Sequence, residues 1–165
     1  MREIIFRGKR IDNGEWVEGS LVKINDEEYG ECIAIIPTNT YSYRFNIDDG
    51  YYVYTKTIGQ FTGLYDKNGK KIFEGNIVQT RRYEMYTEEL KGYHGYDEEG
   101  YPQKLPGYTG SMTVHKTRAN DNYHAVVRFS PTKGFYLDGA SVYINAIRNT
   151  VVGNIYDNPE LVEEK

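Results

Sequence analysis

The side chains with the strongest metal-binding and nucleophilic chemistry are few in this sequence and widely spaced. They are one cysteine, Cys32, and three histidines, His94, His115 and His124. Zinc ligands must converge on one ion, and these residues lack the spacing of zinc fingers or zincins. Cys32 precedes an apolar run with no base nearby in the sequence, which favours a small core residue over a nucleophile. We therefore predict no metal site and no thiol chemistry.

Residues 63–71 have two superficial likenesses to ligand-binding loops. The run Asp66-Lys67-Asn68-Gly69 begins like a calcium loop, but its glycine is fourth instead of sixth, and Ile77 occupies the twelfth position, where a bidentate glutamate is needed. Read as a phosphate-binding loop, the segment has one residue too many between Gly63 and Gly69, and Lys71 replaces the magnesium-binding Ser or Thr. Turns explain both patterns better.

Paired carboxylates are the remaining candidates for acid–base chemistry. Asp48-Asp49 and Glu98-Glu99 fall in turn or loop contexts, where a solvated surface explains them. No set of residues in the sequence forms a catalytic constellation. We expect no cofactor and no enzymatic activity.

Composition indicates a soluble β protein. The 165 residues include 17 tyrosines and 17 glycines, which favour strands and the turns between them. The formal charge of −4 gives no global reason to bind nucleic acid or anionic membrane. A single cysteine excludes an internal disulfide and fits a reducing cytoplasm. The first apolar run, of three residues, is too short for a signal peptide or a membrane span.

The strand pattern changes twice along the chain. Up to Thr57 we predict about five strands, including a hairpin at Asn13-Gly14 and a buried strand at 32–36. A second set of short strands begins at Gly59, and a short helix follows Asn158-Pro159. Residues 141–148 are compatible with either helix or strand.

Residues 84–111 interrupt the second set of strands. They contain no Val, Ile or Phe, but five tyrosines, five glycines, six acidic residues and two basic residues. Such a segment has too few aliphatic side chains to fold alone. It is therefore predicted to be a long loop or an extended hairpin inserted between two strands.

The predicted fold is mainly β, between all-β and α+β. An N-terminal antiparallel sheet is expected over 1–58. A small SH3-like barrel is expected over 59–157, with the acidic Tyr/Gly loop 84–111 inserted. Residues 158–165 form a C-terminal tail with the short helix.

Three strand-and-turn segments carry a family resemblance: Met1–Arg7, Gly59–Val78 and Val151–Leu161. Together they resemble the YopX family, small proteins of bacteriophages and prophages in Gram-positive bacteria. The resemblance implies a mainly β protein without an assigned enzymatic activity, in the cytoplasm of a bacterial host. The chain differs by having Gly8-Lys9-Arg10 where relatives usually continue with Ala-Trp, and by a longer acidic Tyr/Gly stretch.

Two functions from different classes remain open. The first is a non-enzymatic phage or prophage accessory protein that binds another phage or host protein, or forms a homo-oligomer. Tyrosine suits interfaces, and the candidate contact residues are Tyr86, Tyr93, Tyr96, Tyr101 and Tyr108.

The alternative function is single-stranded nucleic-acid binding. Basic residues interleaved with aromatic ones are how small β-barrels bind single strands. The candidate contacts are Lys70, Lys71, Arg81 and Arg82. Because the rest of the chain is not basic, this function is less favoured.

Overall fold

The described residues fold mostly into β-strands, in a computed structural model that describes residues 3–26, 30–38, 50–140, 144 and 148–163. The predicted mainly β fold is confirmed. The described strands are β1 (Phe6–Lys9), β2 (Trp16–Asp26), β3 (Gly30–Pro37), β4 (Tyr51–Tyr52), β5 (Gly59–Tyr65), β6 (Lys71–Phe73), β7 (Asn76–Lys91), β8 (Tyr93–Tyr96), β9 (Pro102–Lys104), β10 (Ser111–Ser130), β11 (Gly134–Asp138) and β12 (Thr150–Asn154). A 3₁₀ turn covers Thr55–Thr57, and the short helix α1 covers Glu160–Glu163, as predicted for the C-terminus.

The first sheet has six strands in the order β4-β3-β2-β1-β5-β6. Its first hairpin forms at Asn13-Gly14, as the sequence predicts, because Gly14 adopts a φ of 75° that glycine tolerates without steric cost. The hairpin is closed by a hydrogen bond from the amide of Arg10 to the carbonyl oxygen of Glu15, at 2.9 Å. The register places Phe6 opposite Gly19 and Lys9 opposite Trp16.

The predicted SH3-like barrel is not found in the described residues. β5 and β6 join the first sheet, because Phe6 and Arg7 of β1 pair with Gln60 and Gly59 of β5. The strands after β6 form a separate four-stranded sheet, in the order β11-β10-β7-β12. This pairing also crosses the expected boundary between 58 and 59, and the division into subdomains 1–58 and 59–157 stays a prediction.

The described residues form three buried hydrophobic clusters, of which the largest joins the two large sheets. The largest is formed by side chains from β6, β7, β10, β11 and β12, and its buried members are Ile72, Val78, Ala125, Val127, Leu137 and Val151. A second contains Ile5, Phe61 and Phe73, and a third contains Val17, Ile35 and Val53. All three lie outside residues 81–121. The hydrophobic stabilisation of the protein is therefore concentrated in the other part of the chain.

The chain divides into two compact units. The body unit comprises Met1–Thr80 and Asn122–Lys165, and the hairpin unit comprises Arg81–Asp121. In the hairpin unit, β7 and β10 are hydrogen-bonded neighbours, and β8 and β9 form a separate two-stranded sheet between them in sequence. Residues 84–111 thus take the form of an extended hairpin.

One sequence question falls outside what the structure describes. The choice between helix and strand for residues 141–148 stays open, because 141–143 and 145–147 lie outside the described residues. Residues 43–47, for which the sequence also predicts one of the five N-terminal strands, and the Asp48-Asp49 turn likewise lie outside the described residues.

Candidate functional site

The buried carboxylate of Asp66 joins two of the three segments that carry the family resemblance. Its Oδ1 accepts hydrogen bonds from the amides of Asn68, at 2.8 Å, and Lys70, at 2.9 Å. Its Oδ2 accepts one from the amide of Val151 in β12, at 2.9 Å. Burial alone would raise the pKa of Asp66, but these backbone donors lower it below its usual value. The turn that superficially resembles a calcium loop is therefore a structural junction.

A second junction surrounds Arg7, which is only 9% exposed. Its Cζ lies 4.7 Å from the ring centroid of Trp16 and 5.0 Å from that of Phe73. Its Nη2 donates to the carbonyl oxygen of Glu74, at 3.3 Å. Burial lowers the pKa of Arg7 from its ordinary value to about 10, so the guanidinium stays charged at neutral pH. The aromatic faces stabilise this cation where water is excluded.

Asp157, from the third resemblance segment, completes the Arg7 junction. Its carboxylate accepts hydrogen bonds from the indole Nε1 of Trp16, at 2.7 Å, and from Nδ2 of Asn154, at 2.8 Å. Lys9 Nζ lies 2.5 Å from its Oδ1. Partial burial alone would raise the pKa of Asp157, but these donors outweigh it and hold the pKa at about 2. The three resemblance segments therefore meet at structural contacts.

Low pH is expected to lower the free energy of unfolding through protonation of Asp157. The pKa of this group is about 2 when folded and 3.8 ordinarily. Its carboxylate therefore stabilises the fold above about pH 4, and that contribution disappears as pH falls from about 4 to about 2. The difference in free energy of unfolding between wild type and Asp157→Asn should shrink over this interval, as measured by urea titration at several pH values. Glu160→Gln, at an exposed site nearby, is the control, and a constant difference for Asp157→Asn would contradict the assignment.

In the hairpin unit, one face is covered by paired charges. Arg118 Nη2 lies 3.1 Å from Oε2 of Glu84, and Lys116 Nζ lies 2.6 Å from Oε2 of Glu88. The Arg118 guanidinium also lies 5.8 Å from the ring centroid of Tyr86. Side chains alternate between the two faces of a strand, so the even-numbered residues of β7 and β10 define this face. We call it the paired face.

The opposite face of the hairpin is exposed and uncharged over most of its length. It consists of the odd-numbered residues between the Arg81–Asp121 ion pair and Glu89. Tyr83 is 52% exposed and Met85 is 81% exposed. We call this surface the open face, and its residues are Tyr83, Met85, Thr87, Thr113, His115, Thr117 and Ala119.

The structure places the five predicted contact tyrosines in different surroundings. Tyr86 is on the paired face, whereas Tyr93, Tyr96 and Tyr101 lie in or next to β8 and β9. Tyr108 packs edge-on against His94, with 5.3 Å between ring centroids. All except Tyr93 are exposed.

Sequence reasoning missed the open face as a set. Tyr83 lies just before the segment 84–111, and the β10 residues lie after it. Met85 lies inside the segment, but the predicted contact residues there were tyrosines alone. The signal available in the sequence was the alternation of side chains between the two faces of the strands at 83–87 and 113–119.

Two of the four predicted nucleic-acid contacts are held in ion pairs. Lys71 Nζ lies 3.0 Å from Oε2 of Glu18, and Arg81 forms a two-point contact with Asp121. Lys70 is exposed in the body unit, and Arg82 is half-buried in the hairpin unit. Lys70 and Lys71 belong to the body unit, whereas Arg81 and Arg82 belong to the hairpin unit, so neither unit contains all four predicted contacts.

One open groove of about 690 Å³ lies beside β3 and β4 in the body unit. Tyr51, Tyr52 and Tyr54 line it together with the acidic residues Asp12 and Glu31. Both carboxylates already have basic partners, since Asp12 pairs with Arg10 and Glu31 pairs with Lys23. Arg10 also lies over the Tyr51 ring, at 3.8 Å. The groove is large enough for a small-molecule ligand. Its two acidic side chains are, however, neutralised by basic side chains of the same protein.

The described part of the chain lacks both a metal-binding cluster and a helix that could span a membrane. No group of three or more His, Cys, Asp or Glu side chains there could hold a metal ion. Among the same residues, no helix combines the length and apolar character needed to cross a membrane.

The fold defines a mainly antiparallel β protein in which β7 and β10 extend into a separate hairpin unit. The chain belongs to the YopX family, since the family described as YopX protein matches residues 5–163. Among solved structures it is similar to protein EF1440 from Enterococcus faecalis, with 20% sequence identity and a TM-score of 0.50. That match covers 99% of this chain and all of the other, and at this identity it supports the fold alone. No curated protein matches the sequence.

Proposed function

We propose that this protein is a non-enzymatic interaction protein that binds other protein surfaces through its hairpin unit. The proposal includes an accessory role in a bacteriophage or prophage, in the cytoplasm of the bacterial host, as the YopX resemblance implies. One observation carries it: among the 41 residues of the hairpin unit, only Val114 is buried.

A unit built this way gains little from its own packing. Two-stranded hairpins are marginally stable in water unless a further surface covers them. This unit exposes seven large hydrophobic side chains, which are Tyr83, Met85, Tyr86, Tyr96, Tyr101, Leu105 and Tyr108. Tyrosine and methionine are enriched at protein interfaces and adapt well to a partner surface. Contact with another protein would bury the side chains that the hairpin leaves in water.

Charge favours a protein partner over a nucleic acid. The hairpin unit has six basic and seven acidic side chains, a net formal charge of −1. Cross-strand pairs such as Glu84–Arg118 and Glu88–Lys116 already satisfy much of its basic charge. A phosphate backbone would have to displace these carboxylates, at an electrostatic cost that a protein surface avoids.

Removing the hairpin is expected to leave the body unit folded. Joining Tyr83 to Met112 through a short turn removes none of the residues in the three buried clusters. Shortening a loop changes its closure entropy only slightly, so the free energy of unfolding should change by no more than about 1 kcal/mol. Circular dichroism and urea titration would measure this. Unfolding of the shortened protein would contradict the division into two units.

The function itself is tested with the same shortened protein. Both forms are expressed with an affinity tag in phage-infected host cells, and their co-purifying proteins are quantified. Proteins that associate with wild type should be lost from the shortened form, and reduced with Tyr96→Ser/Tyr101→Ser in the full chain. If all associations survive removal of the hairpin, the proposed interaction surface is wrong. Salt-dependent binding of single-stranded oligonucleotides at low salt would instead support the nucleic-acid function.

A further inference from the structure

We infer that Asn68 is a site of spontaneous modification, at which the side-chain amide is converted to aspartate or isoaspartate and the hydrogen bonds around Asp66 are weakened. The reaction is fastest where glycine follows asparagine, because glycine leaves its own backbone nitrogen unhindered. The sequence has two such pairs, Asn13-Gly14 and Asn68-Gly69, and both lie in exposed turns of the body unit. The two turns therefore form a matched comparison within one chain.

The reaction requires only water as a co-reactant. The backbone nitrogen of Gly69 attacks Cγ of Asn68 and closes a succinimide ring. The bond from Cγ to Nδ2 breaks, and this nitrogen leaves as ammonia after taking up the proton that the Gly69 amide loses. Water then opens the ring at either carbonyl carbon. One opening gives aspartate, and the other gives isoaspartate, in which the backbone runs through the side chain.

The two glycines are alike in conformation and surroundings. Gly14 and Gly69 have φ values of 75° and 79°. A Cβ built on either would meet nothing within 4 Å, so neither is shielded by packing. The amide of Gly14 donates to the carbonyl oxygen of Arg10, at 3.1 Å, and the amide of Gly69 donates to that of Asp66, at 3.0 Å. These turn bonds slow attack by both nitrogens to a similar extent, so the asparagine side chains decide which site reacts faster.

Asn13 is held at both ends of its side-chain amide. Its Oδ1 accepts a hydrogen bond from the backbone amide of Glu15, at 2.9 Å. Its Nδ2 donates to Oε2 of the same glutamate, also at 2.9 Å. Both bonds oppose the rearrangement at Cγ, because the carbonyl group must tilt during attack and Nδ2 must leave. Together they are expected to lower the rate at Asn13 by about tenfold.

Asn68 lacks such restraints. Its backbone amide donates to Oδ1 of Asp66, at 2.8 Å, which fixes the backbone of the turn. Its side chain is exposed and makes no hydrogen bond to any residue that the structure describes. Cγ of Asn68 can therefore sample the orientation that Gly69 attacks.

The neighbouring charges act in the same direction. Asn68-Gly69 is flanked by lysines at 67 and 70, whereas Asn13-Gly14 is flanked by acidic residues at 12 and 15. Positive charge favours both the deprotonated nitrogen that attacks and the carboxylate that forms, and negative charge disfavours both. Side-chain restraint and local charge thus both select Asn68.

Isoaspartate at this position is expected to weaken the contact between the turn and β12. It adds a carbon atom to the backbone between residues 68 and 69, inside the turn that Asp66 closes. The amide of Asp66 donates to the carbonyl oxygen of Lys70, at 2.8 Å, and its Oδ1 accepts from the Lys70 amide, at 2.9 Å. A longer backbone cannot keep both bonds, and the same carboxylate also holds the amide of Val151. The body unit should therefore lose stability as isoaspartate accumulates.

Peptide mapping by mass spectrometry tests the inference on the full chain, aged in mildly alkaline buffer at physiological temperature. Chymotrypsin cleaves after aromatic residues, so residues 7–16 and 66–73 are released as separate peptides with one asparagine each. A fresh sample digested in the same way corrects for reaction during digestion. Asn68 should be modified at least about tenfold faster than Asn13. Equal rates, or a faster reaction at Asn13, would overturn the inference.

Glu15→Ala tests whether the side-chain restraint explains the difference. It removes one hydrogen bond to Asn13 and one negative charge beside it, so the rate at Asn13 should rise several-fold. The rate at Asn68, in the other turn, should stay unchanged. An unchanged rate at Asn13 would contradict the explanation.

Two variants at the site itself test the consequence for stability. Asn68→Gln closes the corresponding ring far more slowly, so its midpoint in urea should stay constant on ageing. Freshly prepared Asn68→Asp has the charge of the product on a normal backbone and should be as stable as fresh wild type. The isoaspartate fraction of aged wild type should unfold at a lower urea concentration than either. An isoaspartate form as stable as fresh protein would refute the link to Asp66.

Discussion

Replacing Asp66 with alanine should lower the free energy of unfolding by about 3–5 kcal/mol. The change removes the acceptor of three backbone amides, those of Asn68, Lys70 and Val151. Hydrogen bonds to charged groups each contribute about 1.5–3 kcal/mol, and a buried amide left without a partner adds a further cost. Asp66 is only 5% exposed, so water cannot easily replace the carboxylate. Urea titration followed by circular dichroism measures the effect.

Two variants sharpen the Asp66 prediction. Asp66→Asn keeps an oxygen that can close the turn but offers only one acceptor oxygen in place of two, so it should cost less than alanine. Lys67→Ala changes an exposed residue of the same turn and should alter stability by less than about 0.5 kcal/mol. Equal stability of Asp66→Ala and Lys67→Ala would refute the view that Asp66 joins the turn to β12.

Gly19→Ala should destabilise the first sheet by at least about 3 kcal/mol, through overpacking against the backbone. A Cβ built on Gly19 would lie 1.8 Å from the carbonyl oxygen of Ile36, which no side-chain rotation can relieve. Gly19 lies in β2, between Phe6 of β1 and Pro37 of β3, so any shift disturbs two strand pairings. Thermal unfolding should show a large decrease in the midpoint.

The control for Gly19 is its neighbour Ser20. Ser20 is exposed and lies on the other face of β2, so Ser20→Ala should have little effect on stability. A Gly19→Ala protein as stable as Ser20→Ala would mean that β2 and β3 can separate locally without cost. That result would contradict the close approach of their backbones.

Local chemistry made much of the architecture predictable. The hairpin at Asn13-Gly14 and the turn at 66–69 follow from residues that tolerate positive φ or accept hydrogen bonds from their own turn. The composition of residues 84–111 excluded a buried core, and the structure accordingly has a hairpin there with little burial. Each of these features depends on neighbours in sequence, so the sequence alone determined it.

Tertiary structure alone decided how the strands pair and which side chains meet. The expected barrel required β5 and β6 to join later strands, whereas they extend the sheet of β1, and no local pattern encodes that choice. Asp66 accepts a hydrogen bond from the amide of Val151, which is 85 residues away in the sequence. The indole of Trp16 donates one to Asp157, which is 141 residues away.

The open face likewise exists only because β7 and β10 are neighbours, which places Met85 and His115 on one surface. Composition and turn residues determine the conformational preference of short stretches of the backbone. Which distant surfaces meet depends on the free energy of burying them together, and that is a property of the whole fold.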